Sequence, residues 1–193
     1  MTRTFIALEM NEALQGHLAG VILQVARMLP GVRWVDPGGI HLTLAFLGEL
    51  TDEQLTEAIQ ATEGAARRAS TFSYRLARLG TFGSSRQPRV IWMGIDEPSG
   101  SLLRLHRTLN RELEQRGFEI DKRPFSPHLT LARIKAPLAP DELQRLQHIL
   151  QSKQYGIASS DFYPVHHLDV MKSELSRSGA RYTCLRECEF GGE

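Results

Sequence analysis

Apolar residues recur along the chain in two rhythms, one of period two and one of period about 3.6. Phe5-Ile-Ala-Leu8 predicts a short buried strand. Leu14, Leu18, Val21, Val25 and Leu29 then recur at helical spacing, with Asn11 placed to cap the helix and Pro30-Gly31 to end it. Ile40 to Leu47 is β-rich and alternating, and Gly48 is expected to close it. Thr51, followed by Glu53 and Gln54, opens a second helix with Leu55, Ile59 and Ala66 on one face. Phe72 to Phe82 reads as a strand whose alternation shifts partway, Gly83 to Pro88 as a turn, and Val90 to Ile95 as another strand.

The rhythm then repeats. A helix carries Leu102, Leu105, Leu109 and Leu113 and ends at Gly117. His128 to Ile134 is a strand, and Pro140-Asp141-Glu142 starts a helix with Leu143, Leu146 and Ile149 or Leu150 inward. Strands near Asp161–Met171 and Arg181–Phe190 follow. Equivalent landmarks lie at a nearly constant offset: Arg3 to Arg89 is 86 residues, His41 to His128 is 87, and Asp52 to Asp141 is 89. This predicts a single domain over 1–193 made of two related lobes, approximately 3–83 and 89–171, with a last strand at 181–190. Mixed strands and helices without a strict βαβ signature favour an α+β fold.

Composition narrows the class. The chain has 193 residues, 41% hydrophobic and 23% charged, with a formal net charge of +1. These are ordinary values for a folded globular protein, and they argue against disorder. A charge so close to zero argues against coating nucleic acid by bulk electrostatics, although a local basic cleft stays open. No apolar run approaches the roughly 18–20 residues that span a bilayer, so no membrane role is expected. The segment from Met1 to Glu9 has a short apolar patch interrupted by Glu9 and lacks the pattern of a signal peptide. A cytoplasmic location and a monomer are the expectations. Cys184 and Cys188 suit that compartment as plain strand or core cysteines.

The strongest chemical signal is His41-Leu-Thr-Leu-Ala45 and its copy His128-Leu-Thr-Leu-Ala132. With seven His and 11 Thr in the chain, chance predicts about 0.4 His-x-Thr matches. Two copies with identical neighbours at equivalent repeat positions are a different matter. In a strand, His41, Thr43 and Ala45 share one face and Leu42 and Leu44 the other; the second copy behaves alike. If the lobes face each other, two imidazoles and two hydroxyls converge, and Ala at the third inward position leaves room for a ligand. Two imidazoles supply a general base and a general acid near neutral pH. Two hydroxyls can donate to phosphoryl oxygens. The set suits in-line displacement at a compact phosphodiester without a metal or other cofactor. Each His-x-Thr alone is ordinarily a structural feature of a strand; the pair is not.

The sequence resembles the 2H phosphoesterases, and more narrowly the bacterial and archaeal RNA 2′,3′-cyclic phosphodiesterases, historically called 2′-5′ RNA ligases. The resemblance spans nearly the whole chain: Arg3-Thr-Phe-Ile-Ala-Leu8, Arg33-Trp-Val35 with Ile40 to Gly48, Pro88-Arg-Val-Ile-Trp92, Arg123-Pro-Phe-Ser-Pro-His-Leu-Thr-Leu-Ala-Arg133, and Ser173-Glu-Leu175 with Gly179-Ala-Arg-Tyr182. Val170-Met171-Lys172 departs from it mildly, where the family often has an aromatic or acidic residue. The resemblance implies a bilobal α+β fold, with two antiparallel sheets facing a central cleft and helices outside. It implies hydrolysis of a ribose 2′,3′-cyclic phosphate, at RNA ends or in small cyclic nucleotides, to a 2′-phosphomonoester. Reversible 2′-5′ joining of RNA is a further implied activity. His41 and His128 are implied as catalytic, and Thr43 and Thr130 as phosphate contacts. Arg133 and Phe46, each five residues after a motif His, are implied to hold the terminal base. Strict alternation puts Arg133 on the Leu face, so a bulge or strand end must redirect it. His128 is assigned as the base that deprotonates water and His41 as the acid that protonates the leaving 3′ oxygen. The alternative class is a non-catalytic RNA- or nucleotide-binding module of the same fold, which would not need two titratable groups.

Other candidates are weaker. His166-His167 invites a metal reading, but neighbours in a strand point to opposite faces, so a structural or surface role is expected. His17, His106 and His148 lie on predicted helices and are expected to be exposed. Arg67-Arg68 ends a helix, where cations suit the dipole. Lys122, Arg123, Arg133, Lys135, Arg177 and Arg181 could form a basic rim. Trp34 and Trp92 are expected in the core.

Overall fold

The computed structural model describes residues 1–152, 161–176 and 179–192. The chain runs β1 (Thr2–Glu9), α1 (Glu12–Ala26), β2 (Arg33–Trp34), β3 (His41–Leu50), α2 (Asp52–Ala66), β4 (Phe72–Gly83) and β5 (Pro88–Asp96). It continues with α3 (Ser101–Gln115), β6 (His128–Arg133), α4 (Pro140–Gln151), β7 (Tyr163–Val165), β8 (His167–Ser176) and β9 (Gly179–Glu189). Among the described residues no helix is long and apolar enough to cross a membrane.

The local signals act where they stand. The Asn11 carboxamide oxygen accepts from the Leu14 N–H at 2.9 Å and starts α1. Thr51 and Gln54 exchange side-chain and backbone bonds in a capping box that starts α2. Three expectations change. Leu29 packs in the core from the turn after α1, which ends at Ala26. The buried stripe of α2 is Ala58, Ala61, Thr62, Gly64, Ala65 and, as expected, Ala66, with Leu55 and Ile59 at its margins. Small residues there let the helix approach its neighbours closely. Finally, β3 passes through Gly48, whose φ of 75° sits at an irregularity in the pairing with β1. The strand expected near Asp161–Met171 is two strands, with a break at His166.

The strands are ordered β7-β4-β5-β6-β3-β1-β8-β9, all neighbours antiparallel, with β2 alongside β6. Two groups of four are therefore joined between β3 and β6. That join is a single pair, Leu42 opposite Leu129. The two expected antiparallel sheets thus form one curled sheet, and β3 and β6 part on either side of the shared rung. The repeats cross over between the groups: β4 pairs with β5, whereas β8 pairs with β1. One main core covers the face bearing Leu42, Leu129 and Leu131, packed by Leu14 and Leu18 of α1 and Leu105 and Leu109 of α3. Leu42 and Leu129 are fully buried, and each such side chain contributes about 1.5–3 kcal/mol. The other face carries a smaller cluster of Phe5, Ala7 and Met171, with Tyr182 against it. Cys188 is buried, and burial, followed by the Glu63 charge, pushes its thiol up to about 12. It is a core cysteine, as expected.

Candidate active site

Leu42 and Leu129 anchor the site from behind. With these two opposite each other in antiparallel strands, His41 and Thr43 flank the rung on β3, and His128 and Thr130 flank it on β6. The four side chains share the face turned away from the main core. The two histidines thus belong to two different strands and flank a single shared rung. Among the described residues neither threonine hydroxyl has a hydrogen-bond partner.

Each imidazole is fixed in the same manner. His41 Nδ1 is 2.9 Å from the carbonyl of Gly39, and His128 Nδ1 is 2.6 Å from the carbonyl of Ser126. A carbonyl only accepts, so Nδ1 carries the proton in both rings. In the neutral tautomer Nε2 then holds the free lone pair. In both cases the carbonyl belongs to the residue two before the histidine, so the strand approach itself sets the tautomer.

Both strands also break their alternation at the same place. Ile6 faces Ala45 but Ala7 faces Thr43, leaving Leu44 as an extra residue. Ile91 faces Ala132 but Trp92 faces Thr130, leaving Leu131 as an extra residue. Leu44 and Leu131 each follow their histidine by three positions. A bulge inverts the facing of everything beyond it. Ala132 is consequently buried in the main core and Ala45 packs against it, so the expectation that both alanines leave room for a ligand is corrected. Phe46 and Arg133 come round to the histidine face in their stead. Phe46 is 71% exposed, and Arg133 is exposed at the end of β6. The redirecting bulge expected for Arg133 is thus present, and its twin acts on Phe46.

Aromatic rings flank both histidines. Phe5 stacks on His41 at 4.6 Å between centroids, and Tyr182 meets His41 edge-on at 4.8 Å. Ala7, between Phe5 and the His41 end of β3, is buried and has no bulk to keep the rings apart. Phe82 meets His128 edge-on at 4.7 Å, and Trp92 lies 6.2 Å from it. Trp92 is half-buried beside the site, a correction to its expected core position. The sequence alone does not single out Phe5, Phe82 or Tyr182, because their contact with the histidines depends on which strands become neighbours.

Burial holds His41 below the usual imidazole range, opposed by its bond to Gly39 and assisted by the positive charge of Arg133. Elsewhere, Arg123 is held by Asp121 at 2.9 Å. Arg33 stands near the turn between β8 and β9, 3.7 Å from where a side chain on Gly179 would begin. Arg181 is exposed, and Arg177 lies outside the described residues. His148 is exposed as expected, but His17 and His106 are half-buried, the latter stacked on Phe125 at 3.9 Å.

The model of the 2′-5′ RNA ligase superfamily matches residues 24–176. A Thermotoga maritima protein named RNA 2′,3′-cyclic phosphodiesterase is 31% identical over 194 residues, spanning 98% of this chain and 96% of that one. The crystal structure of TT0787 of Thermus thermophilus matches with a TM-score of 0.82 at 30% identity, over 99% of both chains. That of E. coli LigT complexed with 3′-AMP matches with a TM-score of 0.72 at 25% identity, over 98% of both chains.

Proposed function

The chain belongs to the 2′-5′ RNA ligase superfamily, and we propose that it hydrolyses a terminal ribose 2′,3′-cyclic phosphate to a 2′-phosphomonoester. One observation carries this reading. Two imidazoles with the same tautomer, each followed two residues later by a threonine, flank a single rung between β3 and β6. The relatives' shared name, RNA 2′,3′-cyclic phosphodiesterase, supports the substrate class. The solved complex of E. coli LigT with 3′-AMP supports a ligand of nucleotide size.

In the proposed step, a water oxygen attacks phosphorus as its proton passes to Nε2 of His128. The bond from phosphorus to the 3′ oxygen breaks, and that oxygen takes a proton from Nε2 of His41. The 2′ oxygen keeps the phosphate. Thr43 and Thr130 donate to the non-bridging oxygens as charge grows on them. A proton on His41 is destabilised by burial and by Arg133, which makes the imidazolium a stronger acid toward an alkoxide. The anionic phosphate offsets Arg133 once bound. Phe46 and Arg133 offer the terminal base a ring and a guanidinium to stack upon. A 5′-hydroxyl in place of water would use the same acid and base and give a 2′-5′ linkage.

RNA ending in a 2′,3′-cyclic phosphate, incubated with and without a chelator, tests the reading. Conversion to a 2′-phosphate end at equal rates in both is the expected result. No conversion, or loss with chelator, overturns it.

The pH profile tests the link between Arg133 and His41. Burial and the Arg133 charge lower His41, so one limb of the kcat/KM profile belongs to His41 and breaks below the ordinary imidazole range. Arg133→Met removes a cation that lowers His41, so that limb moves to higher pH. A profile with both limbs unmoved would show that Arg133 does not act on the titration of His41.

A further inference from the structure

The sequence pair His166-His167 separates as strand alternation requires: His166 is exposed and precedes β8, while His167 turns to the face that carries Phe5 and Ala7. On that face His167 is joined by Asp169, two residues along β8. Glu187 of β9 stands directly opposite Asp169. The His167 Nε2 lies 3.5 Å from Asp169 Oδ2 and 3.9 Å from Glu187 Oε2. The three ligand atoms all lie within 4.8 Å of one another.

Asp169 is the anomaly. It is fully buried, yet its Oδ2 has no hydrogen-bond partner among the described residues. Its other oxygen has only the Cys184 thiol, at 3.8 Å. A buried carboxylate ordinarily finds a cation or several donors. Two cations of β8 and β9 have carboxylate partners of their own. Arg186 binds Glu63 at 2.7 Å, and Lys172 binds Glu174 at 2.9 Å. His167, held above the usual imidazole range first by Asp169, is an ionic neighbour, but at a separation longer than that of a closed charge-assisted bond, about 2.7–2.9 Å.

We propose that His167, Asp169 and Glu187 form a binding site for a divalent transition-metal ion of the zinc type. Zinc takes imidazole nitrogen and carboxylate oxygen at about 2.0–2.2 Å. Ligand atoms around a tetrahedral ion then lie roughly 3.3–3.6 Å apart, so the observed separations need only a small closure. Two hydrogen-bonded strands supply all three ligands, which fixes their spacing, and water completes the set. The ion satisfies the orphaned oxygen of Asp169, and the partly exposed Glu187 closes the site on its solvent side.

The site goes beyond the proposed reaction, which uses none of its atoms. Ala7 pairs with Thr43 on one side and Asp169 on the other, so Asp169 is two strands, about 10 Å, from Thr43. The ion would clamp the β8–β9 hairpin, and that hairpin carries Tyr182 against His41.

Calorimetric titration of zinc into the chelator-stripped, dialysed protein tests the proposal. One equivalent should bind with micromolar or tighter affinity. At a hundredfold excess over Kd, the unfolding midpoint should rise by roughly 5–10 °C. Asp169→Asn should weaken binding at least about tenfold, and His167→Gln should do the same in a variant that keeps the buried carboxylate. His166→Gln should bind as the wild type does. Absence of binding at millimolar zinc overturns the proposal. So does binding that survives both Asp169→Asn and His167→Gln, or that is lost with His166→Gln or His41→Gln. Turnover is read separately: its loss on chelation would count against the proposed reaction, while the calorimetry would still decide the site.

Discussion

Replacing His128 or His41 with alanine lowers kcat/KM on a nucleoside 2′,3′-cyclic phosphate by roughly 10²–10⁴-fold. The magnitude follows from what each imidazole contributes. Each is the proton carrier on its side of the phosphorus, and among the described residues β3 and β6 hold no other imidazole. Thr43 and Thr130 stabilise charge but move no proton at neutral pH. The double variant should lose little beyond the worse single variant, because groups acting in one transition state are not additive. Steady-state kinetics on both single variants and the double variant check this. Far-UV circular dichroism confirms that each remains folded, since both rings lie off the main core. Full turnover in either single variant would remove that histidine from the mechanism.

The parts of this site that are legible in the sequence are those encoded within one strand. His41-Leu-Thr-Leu and His128-Leu-Thr-Leu declare their own facing by alternation, and Leu42 and Leu129 sit buried where that alternation puts them. The caps at Asn11 and Thr51 are equally local. What alternation cannot give is its own interruption. Leu44 and Leu131 become bulges through the registers of β1 and β5, and neither residue looks unlike its neighbours. Alternation alone therefore puts Ala45 and Ala132 on the wrong face. The family resemblance supplies Arg133 and Phe46, while the physical reason for their orientation comes only from the paired strands.

Sheet order is hidden for a related reason. Two tandem repeats invite a picture of two self-contained sheets, yet β4 pairs with β5 and β8 with β1. Strand partners are chosen by burial across the whole chain, which no window along the sequence can see. Tyr182 reaches His41 over 141 positions of sequence because β8 and β9 return beside β1. The anomalous carboxylate of Asp169 is invisible for the same cause: in sequence it is one acidic residue among many.

Gly80→Ala should both destabilise the protein and impair the His128 side of the site. Gly80 stands opposite Trp92 in the β4–β5 ladder, and the indole lies flat across it. A Cβ at position 80 would overlap Cζ2 and Cη2 of the ring and come within 2.7 Å of Cε2. The indole also lies over Gly94, where an added Cβ would stand 3.3 Å from Cζ3. Overpacking of this kind costs about 1–3 kcal/mol. Trp92 touches Phe82 at 5.4 Å, and Phe82 is the edge that meets His128. A displaced indole therefore moves the wall that orients the imidazole, and a misplacement near 1 Å can cost as much as about 10²-fold in rate. Chemical denaturation and kcat/KM for the variant measure the two effects. Adding Trp92→Leu to Gly80→Ala removes the overlap and should recover part of the lost stability without recovering the rate. That separates the steric cost at Gly80 from the positioning role of the ring. A Gly80→Ala protein with unchanged stability and rate would show that Trp92 moves aside freely and does not position His128.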